Sequence, residues 1–229
     1  MKIKKLKWDS DFFGFGIAKL SPGAVDGMQE YVRRNKIRLI SSLVETNKTK
    51  NISRLERSGF EFVDLRLTFS IKPHVAEAET TRLAREEDIL DLKKIARKAF
   101  ARESRFNHIN IEKGKVEKLY ESWVEKSVEG NFDDLCFIAE ERGEVAGFAT
   151  YKRVGSASSS IGLIAVTSGF QGRGIGSKLI SACSNLAYKE RRKILTVSTE
   201  GKNITAQNFY IKNGFVIIKI ESWYYKWVK

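Results

Sequence analysis

The sequence predicts a mixed α/β fold, an α+β arrangement in which helices pack against a sheet of parallel and antiparallel strands. Its 229 residues are 42% hydrophobic, enough for a sizeable core. Two segments with helical periodicity are followed by three short runs rich in β-branched and aromatic residues, and helices and strands then alternate to the C terminus. From residue 81 onward the predicted order is ααβββαβαββ.

Two amphipathic helices open this part of the chain. In residues 81–100 apolar side chains recur at helical spacing, and Asp88 is placed to cap the N terminus. Residues 115–130 repeat the pattern, with Gly130 placed to end the helix. Each helix therefore has one face to bury.

The periodicity then changes to that of short strands separated by turn residues. The predicted strands are residues 135–140, 143–153, 158–166, 193–199 and two within 214–228, and the intervening helices are residues 175–186 and 204–213. We expect the first three strands to be antiparallel, because only short turns join them.

Composition limits the classes of function. No run is long enough to span a membrane, and the basic N terminus lacks a signal-peptide hydrophobic region, so we expect a cytoplasmic protein. Cys136 and Cys183 lie far apart, and the two histidines have no partner at metal-ligand spacing, so neither a disulfide nor a metal site is predicted. The formal net charge of +13 attracts phosphates but does not select among nucleic acid, anionic lipid and a small ligand.

A glycine-rich turn, GFQGRGIGSKL, joins a predicted strand to a predicted helix. Gly172, Gly174 and Gly176 would let backbone N–H groups converge on an anion at the helix N terminus. A dinucleotide fingerprint would need a third glycine at Ser177, and a Walker loop would need Gly-Lys-Ser/Thr, whereas Ser177 precedes Lys178. A glycine turn that binds no ligand is the alternative.

Two stretches resemble the GCN5-related N-acetyltransferase (GNAT) family. GLIAVTSGFQGRGIGSKLI resembles its motif A, and NITAQNFYIKNGFV resembles its motif B. The order of helices and strands extends this resemblance upstream to about Thr81. The resemblance implies an acetyl-CoA-dependent N-acetyltransferase with the GNAT fold.

The same resemblance implies the residues that bind acetyl-CoA. Main-chain groups of the preceding strand would pair with the pantetheine arm, the glycine turn would wrap the pyrophosphate, and an asparagine would contact the cofactor. By position these are Ile164, Ala165, Val166, Gln171, Gly172, Arg173, Gly174, Ile175, Gly176, Ser177 and Asn203. Their side chains could still belong only to the core.

Acetyl transfer by direct attack needs an oxyanion to be stabilised, a proton to leave the amine and another to reach the departing sulfur. By resemblance Tyr210 is the general acid for the sulfur; alternatively it is one more packed aromatic residue. Glu200, Glu140 and His108 are candidate bases, and water is a further alternative, so no base is assigned.

The first part of the chain contains a faint repeat. Residues 54–71 resemble residues 208–225 in placing a helix end, then Ser/Asn-Gly-Phe, then strand residues, which puts Leu55 opposite Tyr210. No glycine-rich turn is identified before the first copy. We therefore predict a degenerate half-GNAT domain over residues 1–75 and a GNAT acetyltransferase domain over residues 76–229, with chance strand patterning as the alternative.

The stretches WDSDFFGFGIAKL, AFARESRF and YESWVEKSVEGNFDD resemble the branch of the family that acetylates dTDP-4-amino-4,6-dideoxygalactose. This implies a nucleotide-linked amino-deoxysugar substrate, made for cell-surface polysaccharide biosynthesis. Ser104, Arg105 and Phe106 then lie on the loop that binds the acceptor, where Arg105 could pair with a diphosphate and Phe106 could stack on the sugar or base. The alternative is a solvated arginine beside a core phenylalanine. Asn208 and Phe209 stand where that branch has more basic residues, which bears on the substrate and on one phosphate contact. The sequence leaves dTDP and UDP both open.

Two further functions stay open at this point. One is a protein or peptide N-acetyltransferase, and the other is a catalytically inactive basic module of the same fold that binds nucleic acid. Lysines and arginines are scattered rather than gathered into a stripe, so we expect a small-molecule partner and no nucleic acid. A homodimer remains open.

Overall fold

The structure is a computed structural model that describes residues 3–78, 80–100, 104–108, 111–112 and 114–228, without the side chain of His108. The helices are α1 Lys7–Phe13, α2 Met28–Arg34, α3 Thr49–Arg57, α4 Ile89–Phe100, α5 Lys115–Val128, α6 Ile175–Lys189 and α7 Ile204–Lys212. The strands are β1 Ile3–Lys5, β2 Gly16–Leu20, β3 Ile37–Glu45, β4 Glu61–Ile71, β5 Thr81–Leu83, β6 Leu135–Glu141, β7 Glu144–Val154, β8 Ser158–Val166, β9 Ile194–Glu200 and β10 Val216–Trp227. The predicted mixed α/β fold is confirmed.

The chain divides into two compact units, one of residues 1–67, 200–202 and 219–229, and one of residues 68–199 and 203–218. In the first unit β1 pairs with β2 antiparallel, β2 with β3 parallel, and β3 with the C-terminal part of β10 antiparallel. Its core is formed by apolar side chains from these strands and from α2 and α3, among them Leu20, Ile40, Val32, Leu55 and Phe60.

The second unit has the strand order β9-β8-β7-β6-β5. The β5–β6, β6–β7 and β7–β8 pairs are antiparallel and β8–β9 is parallel. Helices α4, α5 and α6 bury their apolar stripes, and Phe148, Tyr151, Leu119 and Leu179 are fully buried. The predicted antiparallel arrangement of the first three strands is confirmed.

The helix predicted to follow the cap residue Asp88 is confirmed, since α4 begins at Ile89. A short strand that the sequence did not predict precedes it: Thr81–Leu83 pair with Phe137–Ala139 as β5. Asp88 lies in a short 3₁₀ turn before α4, where it accepts hydrogen bonds from the Arg82 guanidinium (2.8 and 2.9 Å) and the Arg85 N–H (2.7 Å). The hydrogen bonds from Arg82 are the main reason that the pKa of Asp88 lies below its usual value.

The C-terminal residues form one long strand, β10, instead of the two predicted strands. Cys136 in β6 and Cys183 in α6 are free, buried thiols, and burial raises the pKa of both. Within the described part of the chain, no helix is both long and apolar enough to cross a bilayer. No grouping of three histidine, cysteine or acidic residues there could hold a metal ion.

Candidate functional site

Strands β8 and β9 are paired only over their first residues. The parallel register runs from Ser158 opposite Ile194 to Ile161 opposite Val197, whereas β8 continues to Val166. On its other side the end of β8 stays paired with β7, as shown by Ala165 opposite Phe148. Within the described residues, the main chain of 164–166 thus has one edge outside the β8–β9 register, which is the edge an extended ligand arm could use.

The turn after β8 leads directly into the first turn of α6. Gly172 and Gly174 have φ values of +78° and +79°, and a Cβ built on either would meet nothing within 4 Å. The Lys178 N–H bonds to the Gly174 carbonyl, so the amides of residues 175–177 precede the first intrahelical hydrogen bond. Two left-handed glycines and the positive end of a 15-residue helix therefore border open space, which suits an anion.

Two side chains of the same turn contact neighbouring residues. The Gln171 Nε2 donates to the Val166 carbonyl at 3.2 Å, and the Arg173 guanidinium lies 5.6 Å from the centroid of the Phe170 ring. Arg173 is exposed. Ile175 is buried in the core, while Ser177 is half-buried in the first turn of α6.

Gly176 has a different role from the other two glycines. A Cβ at this position would lie 2.8 Å from Cζ of Phe209. Because Phe209 belongs to α7, the missing side chain lets the first turn of α6 approach the helix that carries Tyr210. The sequence pattern groups three glycines, but one of them serves helix packing.

Tyr210 is 5% exposed. Its ring contacts Phe69, Phe209 and Phe215, with centroid separations of 5.4, 5.5 and 6.0 Å. The tyrosine is therefore held by the aromatic packing that the sequence suggested as its alternative role. Such packing also fixes the direction of a hydroxyl that could donate a proton.

Asn203 and Thr167 supply further polar groups near the ends of these elements. Asn203 caps α7, accepting a hydrogen bond from the Ala206 N–H at 3.1 Å through its Oδ1, which leaves the Nδ2 as a donor. The Thr167 Oγ1 is buried and has no hydrogen-bond partner among the described residues. Thr167 was missed by sequence reasoning; its position between the strand and the glycine turn was the available signal.

The predicted acceptor residues lie on the loop between α4 and α5. The Ser104 Oγ is buried and accepts hydrogen bonds from the Phe106 N–H and the Tyr120 hydroxyl, both at 3.1 Å. Phe106 is 6% exposed, and the Arg105 guanidinium lies 4.0 Å from its ring centroid. Arg105 therefore covers a face of the ring that was predicted to stack on a ligand, and Ser104 holds the loop to α5.

The candidate bases have different surroundings. Glu140 accepts hydrogen bonds from Arg82 at 2.7 and 3.0 Å, so its carboxylate is held in an ion pair. Glu200 is the last residue of β9. The side chain of His108 lies outside the described residues.

Comparison with known proteins agrees with this geometry. Residues 132–217 match the acetyltransferase (GNAT) domain family. The chain is 26% identical over 231 residues to dTDP-fucosamine acetyltransferase of Escherichia coli O6:H1 (strain CFT073), covering 98% of this chain and 97% of that protein.

Solved structures show the same fold. A GCN5-related N-acetyltransferase from Sphaerobacter thermophilus superimposes with a TM-score of 0.67 at 15% identity, covering 98% of this chain and 76% of that one. A tandem GNAT protein from the clavulanic acid biosynthesis pathway superimposes with a TM-score of 0.60 at 10% identity, covering 92% and 75%. The resemblance predicted from the glycine turn and the Asn203 to Val216 stretch is confirmed, because both lie within residues 132–217, which match the acetyltransferase (GNAT) domain family.

Proposed function

We propose that this protein transfers the acetyl group of acetyl-CoA to the amine of a nucleotide-linked amino-deoxysugar of the dTDP-4-amino-4,6-dideoxygalactose type. The observation that supports acetyl-CoA as the cofactor is the early end of the pairing between β8 and β9, beside two glycines that face open space. The proposal of this sugar as the substrate rests on the near full-length similarity to an enzyme named for dTDP-fucosamine.

The chain offers donors of the kind that acetyl-CoA needs. The diphosphate would lie over Gly172 and Gly174, at the amides that begin α6. The pantetheine amides would pair with the main chain of residues 164–166, as a strand pairs with a sheet edge. The Thr167 hydroxyl and the Nδ2 of Asn203 are further donors for the same ligand.

The proposed reaction is a direct transfer. The amine nitrogen bonds to the thioester carbonyl carbon, the C–S bond breaks, and the sulfur takes a proton from the Tyr210 hydroxyl. Main-chain groups at the end of β8 stabilise the charge on the carbonyl oxygen. The amine proton leaves to water, and Tyr210 regains a proton from solvent, so the products are an amide and free CoA.

Arg105 is the group that would recognise the acceptor's diphosphate. Its guanidinium is positioned by the Phe106 ring, and the loop beneath it is fixed by Ser104 and Tyr120. A guanidinium is well suited to phosphate oxygens because its N–H groups form a planar fork. In this role Phe106 supports the arginine, and stacking on the ligand is not required of it.

The direct experiment measures release of free CoA from acetyl-CoA with a panel of dTDP- and UDP-linked 3-amino and 4-amino 6-deoxysugars. We expect turnover with a 4-amino sugar and little with its hydroxyl analogue, because only the amine is a competent nucleophile. Release with one nucleotide alone would identify the nucleotide.

If the protein binds acetyl-CoA by calorimetry but releases no CoA with any sugar of the panel, the proposed sugar substrate is contradicted. Peptide amines would then be tested as acceptors. Failure to bind acetyl-CoA would contradict the whole proposal. A steep fall of affinity with salt for added nucleic acid, together with no CoA release, would favour the inactive basic module.

A further inference from the structure

Strand β8 contains a bulge immediately before the segment proposed to pair with acetyl-CoA. Ala149 lies opposite Ile164 and Tyr151 lies opposite Ile161, so Thr150 alone faces Gly162 and Leu163. A bulge of this kind bends a strand and redirects its main-chain groups. It begins where the register with β9 ends, at Ile161.

The bulge is held by a buried chain of side-chain hydrogen bonds. The Leu163 N–H donates to the Thr150 Oγ1 at 2.8 Å, and that hydroxyl donates to the Asp133 Oδ2 at 2.6 Å. Thr150 is completely buried, and Asp133 is 3% exposed. A threonine hydroxyl thus accepts the amide hydrogen bond that an interrupted ladder would otherwise leave unmade.

Gly162 lets the carboxylate reach this position. A Cβ on Gly162 would lie 1.9 Å from the Asp133 Oδ2 and 2.9 Å from the Thr150 Oγ1. The carboxylate therefore packs against the bare Cα of β8. Lys152, with its Nζ 3.4 Å from the Asp133 Oδ1, partly compensates the buried charge.

We propose that Thr150 and Asp133 are positioning residues for acetyl transfer, because they brace the bulge that aims the main chain of residues 164–166 at the thioester. This inference rests on the proposed function, since it needs acetyl-CoA on that edge. Neither residue touches the reacting atoms. The brace acts at the acetyl end of the ligand, whereas the diphosphate is bound by the glycine turn.

The test compares Thr150→Val, which keeps the shape and removes both hydrogen bonds, with Thr150→Ser, which keeps the hydroxyl. In Thr150→Val we expect kcat to fall about 10- to 100-fold, because sub-ångström misplacement of main-chain groups weakens their contact with the transition state. KM for acetyl-CoA should change less than threefold, and Thr150→Ser should recover most of kcat.

A second readout needs no acceptor. Calorimetry of acetyl-CoA and of CoA gives the affinity that the acetyl group adds, and Thr150→Val should reduce this ratio while the affinity for CoA itself is kept. Hydrogen exchange of the Leu163 amide should be faster in the same variant.

Ser184→Ala is the matched control. Its buried hydroxyl accepts a hydrogen bond from the His74 N–H (2.9 Å) and donates one to the His74 carbonyl (2.7 Å), so the variant loses two buried hydrogen bonds outside the brace. It should lose thermal stability yet keep kcat and the affinity ratio.

The outcomes separate the two proposals. If the wild type acetylates a sugar and Thr150→Val is equally active with an unchanged affinity ratio, only the positioning role of Thr150 and Asp133 is overturned. If the wild type binds acetyl-CoA but acetylates no sugar, the proposed substrate is overturned. The ratio of acetyl-CoA to CoA affinity in Thr150→Val then tests the positioning role. A wild type that binds no acetyl-CoA overturns both.

Discussion

Two helix-to-strand junctions of this chain have the same local geometry and different surroundings. In the first, after α3, the Phe60 N–H bonds to the Leu55 carbonyl at 3.1 Å, and Gly59 has a φ of +77°. In the second, after α7, the Phe215 N–H bonds to the Tyr210 carbonyl at 3.1 Å, and Gly214 has a φ of +82°. The faint sequence repeat therefore corresponds to a repeated helix end, with a buried leucine at the position of the tyrosine.

The elements before these junctions differ in how far their strands stay together. In the N-terminal unit the parallel register of β2 and β3 continues to Leu20, the last residue of β2. The following turn contains Gly23, where a Cβ would lie 2.5 Å from the Asn51 Oδ1. In the C-terminal unit the register of β8 and β9 ends early, and the glycine turn borders open space. The first strand–helix–strand arrangement has a side chain against Gly23 of its turn, whereas the second has open space at both of its left-handed glycines.

The comparison also revises one expectation from the sequence. The N-terminal copy does have glycines in its strand-to-helix turn, since Gly23 and Gly27 have φ values of +74° and +72° and Gly27 precedes α2. This supports our proposal of a degenerate half-domain over residues 1–75. Conformation alone does not make a binding turn; both glycines must also face open space, and Gly23 faces the Asn51 side chain instead.

The largest expected effect contrasts Gly174→Val with Gly27→Val. Both glycines precede a helix in the left-handed conformation with nothing within 4 Å, so each variant should lose about 1–2 kcal/mol of stability. Only Gly174→Val places a side chain where the diphosphate would bind, and we expect its acetyl-CoA affinity to fall at least about 100-fold, or roughly 3 kcal/mol. Calorimetry with acetyl-CoA and a thermal melt measure the two effects.

Equal acetyl-CoA affinities in these two variants would remove the functional distinction between the two turns. A loss of affinity in Gly27→Val would point the same way, because that turn has no part in the proposed site.

The next effect concerns the side chain that distinguishes the two helix ends. Tyr210→Phe keeps the ring packed on Phe69 and Phe215 but removes the hydroxyl, so kcat should fall about 100-fold while acetyl-CoA affinity stays within about twofold. Steady-state rates and calorimetry measure these changes.

Tyr224→Phe is the control in the N-terminal unit. It removes a buried hydroxyl that donates to Glu56 at 2.8 Å, where burial is the main factor that raises the pKa of Tyr224 to about 12. It should lower stability by about 1 kcal/mol and leave kcat unchanged. An unaltered kcat in Tyr210→Phe would leave the tyrosine a packing residue, like its leucine counterpart.

The smallest effect tests whether the junctions are physically equivalent. Gly59→Ala and Gly214→Ala each force an L-residue into the left-handed region, where the new Cβ makes only ordinary contacts, so each should lose about 1–2 kcal/mol. Urea unfolding of the two variants measures the loss. A difference between them well above 1 kcal/mol would mean that the repeated hydrogen bonds conceal unequal packing.

Local patterns in the sequence predict most of the elements from residue 81 onward. Periodicity predicts α4 to α7 and β6 to β9, because these elements have one buried face or are bounded by turn residues. It does not predict β5, which has only three residues and depends on pairing with β6. It also predicts a break in β10 that is absent, because pairing with β3 holds the C-terminal part of that strand extended.

The candidate site was only partly predictable for the same reason. Gly172 and Gly174 follow from the turn, whereas the packing role of Gly176 depends on Phe209, thirty-three positions along the printed sequence. The brace at Thr150 and Asp133 has no local signature, since it joins β7, β8 and the segment just before β6. The resemblance places Ser104 and Phe106 on the acceptor loop, whereas long-range packing, which the sequence does not show, buries both side chains.

The two buried cysteines have a practical consequence for measuring this chemistry. CoA is released as a reactive thiol, whereas Cys136 and Cys183 are shielded from solvent and their raised pKa keeps them protonated near neutral pH. A colorimetric thiol reagent added to folded protein thus registers product with little background from the enzyme. Without acetyl-CoA, the same reagent reacts in buffer with the cysteines of unfolded molecules and in denaturant with two thiols per chain, so the ratio of the two readings gives the fraction of molecules that are unfolded.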